Sequence, residues 1–374
     1  MFDWNGKGLS VGSLKLPSPI VQGGMGIGIS GSRLASAVAN EGGIGVISAV
    51  GLGFMGRSVK DENLRKLAQK TGETLNITML RQEIRRAREL TKGVLGVNIM
   101  VAISEFAETA KAAAAEGIDI IFAGAGLPLS LPECLKKGSR TKLIPIVSSV
   151  KAAKLIARRW MNMYQYVPDG FVLEGPKAGG HLGFTRKQIE DPSYQLEELL
   201  PPLAEEAERL GREKGKKVPV IAGGGIYTGG DISKMLALGA SGVQMATRFV
   251  ATEECDADQA FKQAYVDCTK EDIAIIESPV GLPGRALMNS FLEEAKAGQR
   301  HPKVCTRHCI TTCRKTAAPY CISSALINAF YGRMEHGFAF IGANGYRVDK
   351  IMTVHELFEE LAEDFCRTEG GTSR

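Results

Sequence analysis

The 374-residue sequence has no strong excess of charge of either sign, few aromatic residues and no long apolar run. Its 46 lysine and arginine residues nearly balance 41 aspartate and glutamate residues, which argues against a nucleic-acid-binding surface. Lysine, glutamate or glycine interrupts each apolar stretch before it is long enough to cross a bilayer, so no membrane span is predicted. The N-terminal residues lack the basic-then-apolar layout of a secretion signal, and we therefore expect a cytoplasmic protein.

Eight short apolar runs, most of them alternating with helical stretches, begin near residues 19, 44, 95, 118, 143, 170, 218 and 242. Strands this continuously apolar are typical of a parallel sheet buried on both faces. Eight such units within about 250 residues favour a closed (β/α)8 TIM barrel over an open doubly wound sheet. We predict a barrel over residues 1–260, with residues 51–78 as an insertion, and a C-terminal helical cap or extension over residues 261–374.

Residues 174–183, Glu-Gly-Pro-Lys-Ala-Gly-Gly-His-Leu-Gly, directly follow the sixth apolar run. Adjacent glycines let a backbone pass close to a flat ligand. They present His181, and histidine is the residue type that most readily carries protons near neutral pH. A glycine-rich turn with an incidental histidine explains this motif equally well when it is taken alone.

A second glycine-rich stretch, Gly223–Gly225, follows the seventh run, and Gln244–Arg248 follows the eighth. Barrels commonly bind phosphate between the loops after these two strands, through backbone N–H groups. Three consecutive glycines remove the side chains that would block those donors, and Thr247 adds a hydroxyl. We predict a phosphate site here rather than an ordinary tight connection.

Six ordered stretches carry a resemblance to a known family: Pro19–Met25, Gly96–Met100, Gly124–Gly126, Ala178–Gly183, Pro219–Ile226 and Gly239–Phe249. Together they resemble the nitronate monooxygenase (2-nitropropane dioxygenase) family and its relatives, the flavin-dependent enoyl-[acyl carrier protein] reductases. The resemblance covers roughly residues 15–290. It implies a barrel that binds flavin mononucleotide (FMN).

The resemblance also implies the roles of individual residues. His181 matches the catalytic histidine of the family. The residues expected to line the isoalloxazine ring are Gln22, Gly23, Met25 and Asn98. Those expected to hold the ring edge and the phosphate are Gly179, Gly180, Gly223, Gly225, Gln244, Met245 and Thr247. Gly124 and Ser148, which follow two further strands, complete the predicted cofactor set.

The function implied by the resemblance is the oxidation of alkyl nitronates with O2, with His181 taking the α-proton of a neutral nitroalkane. An NAD(P)H-dependent reductase of enoyl thioesters is the alternative, and there His181 would polarise or protonate the product enolate. In both cases the flavin supplies the redox chemistry and the substrate is a small molecule. A third hypothesis is a barrel that binds flavin or a phosphorylated ligand without turnover, although a placed proton carrier argues against it. Helices of the cap could pair two barrels into a homodimer.

The C-terminal region holds a cluster of four cysteines, Cys305, Cys309, Cys313 and Cys321, within 17 residues. Four thiolates are enough to hold a tetrahedral zinc ion or a [4Fe–4S] cluster, and a nearby flavin favours iron–sulfur as an electron partner. The spacing matches neither the usual ferredoxin run nor a zinc-finger pair. The alternative is a helix whose cysteines pack as small core groups. Just before this cluster, Arg285 is predicted to be either an anion contact or a surface arginine.

Overall fold

Short apolar segments of the sequence form the strands of a computed structural model that describes residues 2–302, 305, 308–313 and 318–371. Its strands are β1 Ser10–Val11, β2 Leu14–Lys15, β3 Ile20–Gln22, β4 Gly45–Ser48, β5 Leu95–Met100, β6 Ile120–Gly124, β7 Lys142–Val147, β8 Phe171–Glu174, β9 Gly180–His181, β10 Val220–Gly223, β11 Gly242–Met245, β12 Ile273–Glu277 and β13 Pro283–Leu287. Its helices are α1 Ser32–Asn40, α2 Gly56–Lys60, α3 Glu62–Thr71, α4 Leu75–Leu90, α5 Phe106–Ala115, α6 Val150–Tyr164, α7 Arg186–Glu190, α8 Leu196–Lys214, α9 Gly229–Ala237, α10 Thr247–Val250, α11 Gln259–Val266, α12 Ser290–Lys296, α13 Ile322–Phe330 and α14 Val354–Gly371.

Eight of these strands form one parallel sheet in the order β3-β11-β10-β8-β7-β6-β5-β4. The sheet closes on itself because Val21 of β3 bridges to Ile44 in parallel, and the Ile44 amide donates to the Ile20 carbonyl at 3.0 Å. Helices follow the strands and cover the outside. The predicted (β/α)8 barrel is therefore confirmed.

Side chains alternate along each strand between the barrel interior and the surrounding helices. Val172 and Ile221, for example, pack in the interior cluster, whereas Leu173 packs in the outer one. The inward-facing positions at the carboxyl ends of the strands form what we call the top layer. Its members are Gly23, Ser48, Asn98, Gly124, Ile146, Glu174, Gly223 and Gln244. Apart from Gly223, the top layer forms the floor on which a ligand at the barrel mouth would rest.

The predicted insertion at residues 51–78 is mostly helical. The Asp61 side chain caps α3 by accepting from the Leu64 amide at 3.0 Å, and Gly72, with a φ of +67°, ends it. Thr74 then caps α4. On α3 only Leu64 and Ala68 are buried, and the other residues of the helix are mostly polar.

The C-terminal region contributes to two different parts of the fold. The hairpin β12–β13 joins β9 in a three-stranded antiparallel sheet beside the barrel mouth. The last helix, α14, instead packs outside the barrel against α9, where Asp364 accepts from the Gly230 amide at 2.8 Å. Glu360 of the same helix pairs with Arg248 at 3.0 Å. This helix therefore belongs to the outer ring of helices.

Among the residues that the structure describes, none of the helices combines the length and apolar character needed to cross a bilayer.

Candidate active site

A deep cavity opens at the carboxyl ends of the barrel strands, where the sequence predicts a cofactor. It is lined by His181 and by ten of the predicted cofactor residues: Gly23, Met25, Asn98, Gly124, Gly179, Gly180, Gly225, Gln244, Met245 and Thr247. These residues come from loops and strand ends that are far apart in the sequence. The structure therefore brings most of the predicted site together in one place.

Three predicted cofactor residues do not line the cavity. The buried Gln22 amide accepts from the Val46 amide at 2.9 Å and donates to the Gly23 carbonyl, so it ties β3 to β4. The Ser148 hydroxyl donates to the Gly183 carbonyl at 3.0 Å and fixes the end of the histidine loop. Gly223 packs against Gln244 in the neighbouring strand. These residues build the walls of the site and gain no support as cofactor contacts.

His181 is held at the cavity by the C-terminal hairpin. Strand β9 pairs with β13 so that His181 lies opposite Gly284. Its Nε2 lies 2.7 Å from the Ser278 hydroxyl, and the Phe340 ring packs edge-on with its centroid 4.9 Å away. Burial lowers the pKa of His181 to about 4, because an apolar surrounding disfavours the charged imidazolium. The imidazole is therefore neutral near pH 7 and able to accept a proton.

Ser278 orients this imidazole from the turn that follows β12. Its hydroxyl oxygen accepts from the Val280 amide at 3.3 Å. The neutral imidazole has two tautomers that satisfy this contact. With the ring proton on Nδ1, Nε2 accepts from the Ser278 hydroxyl and Nδ1 can donate to an anion; with the ring proton on Nε2, Nε2 donates to the hydroxyl and Nδ1 keeps its lone pair for a proton.

Arg285 has a structural role that the sequence did not suggest. Its side chain is buried, and its Nη1 donates to the carbonyls of Pro176 and, at 2.8 Å, Ala178. Burial lowers its pKa to about 10. Arg285 is thus neither an exposed arginine nor placed as an anion contact, since it fastens the loop that precedes the two glycines and His181.

Glu174 brings a carboxyl group into the same cavity. It is the last residue of β8 and belongs to the top layer. Burial raises the pKa of Glu174 to about 7, because the carboxylate loses its hydration there. The site therefore holds a histidine and a glutamate whose pKa values have moved in opposite directions, a pattern found where proton transfers take place.

The predicted phosphate end is shaped by backbone that only glycine tolerates. Gly224 and Gly225 have φ values of +102° and +85°, and a Cβ on Gly225 would lie 2.8 Å from the Cβ of Lys177. Asn344 donates to the Gly225 carbonyl at 2.5 Å. The Thr247 hydroxyl accepts from the Gly342 amide at 3.0 Å, which leaves its proton for another acceptor. With the Lys177 side chain on the cavity wall, this end offers donors and a positive charge to an anion.

Several functional candidates escaped the sequence interpretation because they come from the C-terminal segment. The cavity residues of this kind are Phe261, Tyr265, Leu326, Phe340, Ile341, Gly342 and Asn344. No local motif marks them, and only the fold brings them to the barrel mouth. Glu174 and Lys177, in contrast, lie within the stretch that the sequence singled out.

The four clustered cysteines form no candidate metal centre among the residues that the structure describes. Within the described ranges, no three cysteine, histidine, aspartate or glutamate side chains lie close enough together to hold a metal ion. Cys309 instead contacts the Ser323 hydroxyl at 3.1 Å. The predicted zinc or iron–sulfur site therefore gains no support from the arrangement of these side chains.

The comparison with known families decides the identity of this fold and site. Residues 9–364 match the sequence model of the nitronate monooxygenase family. The chain belongs to the nitronate monooxygenase family. It is therefore an oxidoreductase, and enzymes of this family generally use flavin.

Individual relatives span a range of activities. A probable nitronate monooxygenase of Staphylococcus haemolyticus is 26% identical over 328 residues, which cover 82% of this chain and 85% of that protein. A (3aS,4S,5R,7aS)-5-hydroxy-7a-methyl-1-oxo-octahydro-1H-indene-4-carboxyl-CoA dehydrogenase of Mycobacterium tuberculosis is 26% identical over 282 residues. That match covers 75% of this chain and 66% of the dehydrogenase, slightly less than two thirds of its length. The structure of FabK from Thermotoga maritima superposes with a TM-score of 0.70 at 25% identity, covering 96% of this chain and 95% of FabK.

The cavity of this family member fits a flavin mononucleotide on its own chemistry. Glycines at 23, 24, 124, 179 and 180 leave room for a flat ring, and Met25, Met100 and Met245 offer apolar contact. Asn98 and Gln244 provide amide groups for the ring heteroatoms. The glycine-rich phosphate end borders the same cavity.

Proposed function

We propose that this enzyme uses FMN to oxidise alkyl nitronates with dioxygen, and that His181 handles the substrate proton. The observation that carries the proposal is a neutral, oriented imidazole on the wall of a cavity lined by glycines, methionines and side-chain amides. Membership of the nitronate monooxygenase family supports the same reaction.

The neutral imidazole suits a substrate whose α-carbon is acidic. A nitroalkane can lose that proton to His181, which becomes an imidazolium beside the nitronate anion that it has just formed. A nitronate supplied from solution needs no deprotonation, and then His181 acts as a hydrogen-bond donor to the anion. Bound FMN would supply the electron-accepting ring next to the substrate carbon.

The remaining residues position the cofactor. The phosphate would be held by the backbone at Gly224 and Gly225, the Thr247 hydroxyl and the Lys177 ammonium group. The amides of Asn98 and Gln244 would face the ring from the top layer. Arg285 and Ser278 keep the histidine loop in place and contact neither the cofactor nor the substrate directly.

A second candidate function is the reduction of enoyl thioesters by NAD(P)H. FabK from Thermotoga maritima is similar over nearly the whole chain, and one relative is named as a carboxyl-CoA dehydrogenase. The far wall of the cavity is apolar, with Ile27, Val250, Phe261 and Leu326, and would accept a hydrocarbon chain. A reductase must protonate its product, however, and a histidine with a pKa of about 4 is almost entirely unprotonated near pH 7, so little imidazolium is present to give up a proton.

Replacement of the histidine tests the leading proposal. His181→Ala should retain FMN and lose about 100-fold or more of its kcat with a neutral nitroalkane, the size expected for a missing general base. His336→Ala, which removes an exposed imidazole from a surface turn, is the matched control and should keep wild-type kcat. Wild-type rates for His181→Ala at full FMN content would remove His181 from the mechanism.

Other properties stay as proposals from the sequence. They are a cytoplasmic location, assembly as a homodimer and the lack of a nucleic-acid partner.

A further inference from the structure

Glu174 occupies a unique position in the barrel. Among the eight residues of the top layer, it alone has an ionisable side chain; the others are glycine, serine, asparagine, isoleucine or glutamine. Strand alternation sets its direction, because Val172, two residues earlier, packs inside the barrel. The parallel register places it beside Gly223, which in turn pairs with Gln244. Its carboxyl group therefore belongs to the floor of the cavity.

No group in the described part of the chain forms a hydrogen bond or an ion pair with this carboxyl. The other titratable side chains on the cavity wall are Lys177, His181, Tyr227 and Tyr265. Both tyrosine hydroxyls donate to backbone carbonyls, that of Tyr227 to Arg347 at 2.6 Å and that of Tyr265 to Phe340. His181 is neutral, and the Lys177 ammonium group lines the cavity without forming an ion pair with Glu174. Burial alone accounts for the raised pKa of Glu174, so no cation offsets its negative charge.

We propose that Glu174 is a redox-linked proton acceptor that takes up one proton from solvent when the bound flavin is reduced. The proposal rests on flavin binding in this cavity, which is part of the proposed function. Two electrons from the substrate and one proton leave the flavin with one negative charge. A carboxylate close to that charge gains affinity for a proton, so Glu174 changes from COO⁻ to COOH in the same step. Reoxidation by the electron acceptor releases that proton.

This linkage makes the midpoint potential of the flavin depend more steeply on pH. Each proton taken up per two electrons adds a slope of about 30 mV per pH unit, because a tenfold change in a two-electron equilibrium corresponds to 29.6 mV. The extra slope should begin near neutral pH, where Glu174 ionises in the oxidised enzyme. The extra slope should end at the higher pH at which the Glu174 carboxyl also ionises in the reduced enzyme.

The test is an anaerobic redox titration of the FMN-loaded enzyme against reference dyes between about pH 6 and pH 9. Wild type should show a slope about 30 mV per pH unit steeper than Glu174→Gln over part of this range. The control Glu277→Gln removes an exposed carboxylate on β12, and it should keep the wild-type slope. Equal slopes for wild type and Glu174→Gln, both loaded with FMN, would overturn the proposal.

A second measurement needs only the wild-type protein. Electrochemical reduction in a weakly buffered solution at about pH 8, with an indicator dye, should consume close to two protons per flavin, because an electrode supplies electrons without releasing protons. Consumption of a single proton would overturn the role of Glu174 even if the glutamine variant cannot be loaded. A protein that binds no flavin would overturn the proposed function and this inference together, whereas a one-proton reduction would leave the proposed function intact.

Discussion

Loss of the Ser278 hydroxyl should weaken catalysis without weakening cofactor binding. The hydroxyl lies 2.7 Å from Nε2 of His181 and does not line the flavin cavity. A hydrogen bond of this kind contributes about 1 kcal/mol net, and more when its partner is left unpaired in a buried site. We take about 1–2 kcal/mol of lost transition-state stabilisation, which corresponds to about a 5- to 30-fold decrease in kcat.

The assay for Ser278→Ala is steady-state turnover of a nitroalkane, with FMN content measured by absorbance. We expect kcat to fall while KM and FMN content stay near wild type, because the residue orients the proton acceptor and binds neither ligand. Ser278→Thr keeps a hydroxyl and should recover part of the loss. Ser193→Ala removes a hydroxyl from an exposed turn and should have no effect. A wild-type kcat for Ser278→Ala would refute the orienting role.

Three further predictions concern the same site. Because burial lowers the pKa of His181 to about 4, its imidazole stays neutral down to about pH 5, and kcat/KM for a nitroalkane should be constant over that range. A fall in kcat/KM centred on pH 6.5 would contradict this. Gly225→Ala should raise the Kd for FMN about tenfold, measured by fluorescence titration of the apoprotein, since the +85° φ and the Lys177 contact resist a side chain; an unchanged Kd would show that this backbone is not part of the phosphate site. Arg285→Ala should lower the unfolding temperature and kcat together, because two carbonyls of the histidine loop lose their donor; loss of kcat with an unchanged unfolding temperature would contradict a structural role.

The barrel was predictable because each of its strands corresponds to a short apolar run in the sequence. Strands buried on both faces need no polar alternation, so their positions follow from composition alone. The glycine-rich loops at the strand ends, with His181 among them, were visible for a related reason: backbone that approaches a ligand closely requires glycine. The helices of the insertion were not predicted because α3 is mostly polar and buries only Leu64 and Ala68.

Contacts between residues that are far apart in the sequence could not be predicted. Ser278 reaches His181 over 97 residues, and Phe340 reaches it from still further away. Neither position has a local pattern that names its partner. Arg285 is a further example. Its residue type suggested an anion contact, but in the structure its side chain donates to two backbone carbonyl groups. Glu174 lay within the motif from the start, but only the strand direction revealed that its carboxyl group faces the cavity.

The central claim, a flavin enzyme that oxidises nitronates, is tested most directly by an anaerobic absorbance spectrum of the FMN-loaded protein. An alkyl nitronate should bleach the flavin band within the dead time of mixing or soon after, and admission of O2 should restore it. NADH and NADPH should leave the band unchanged on that timescale. Rapid bleaching by either nicotinamide, with no response to the nitronate, would contradict the account and identify a reductase instead.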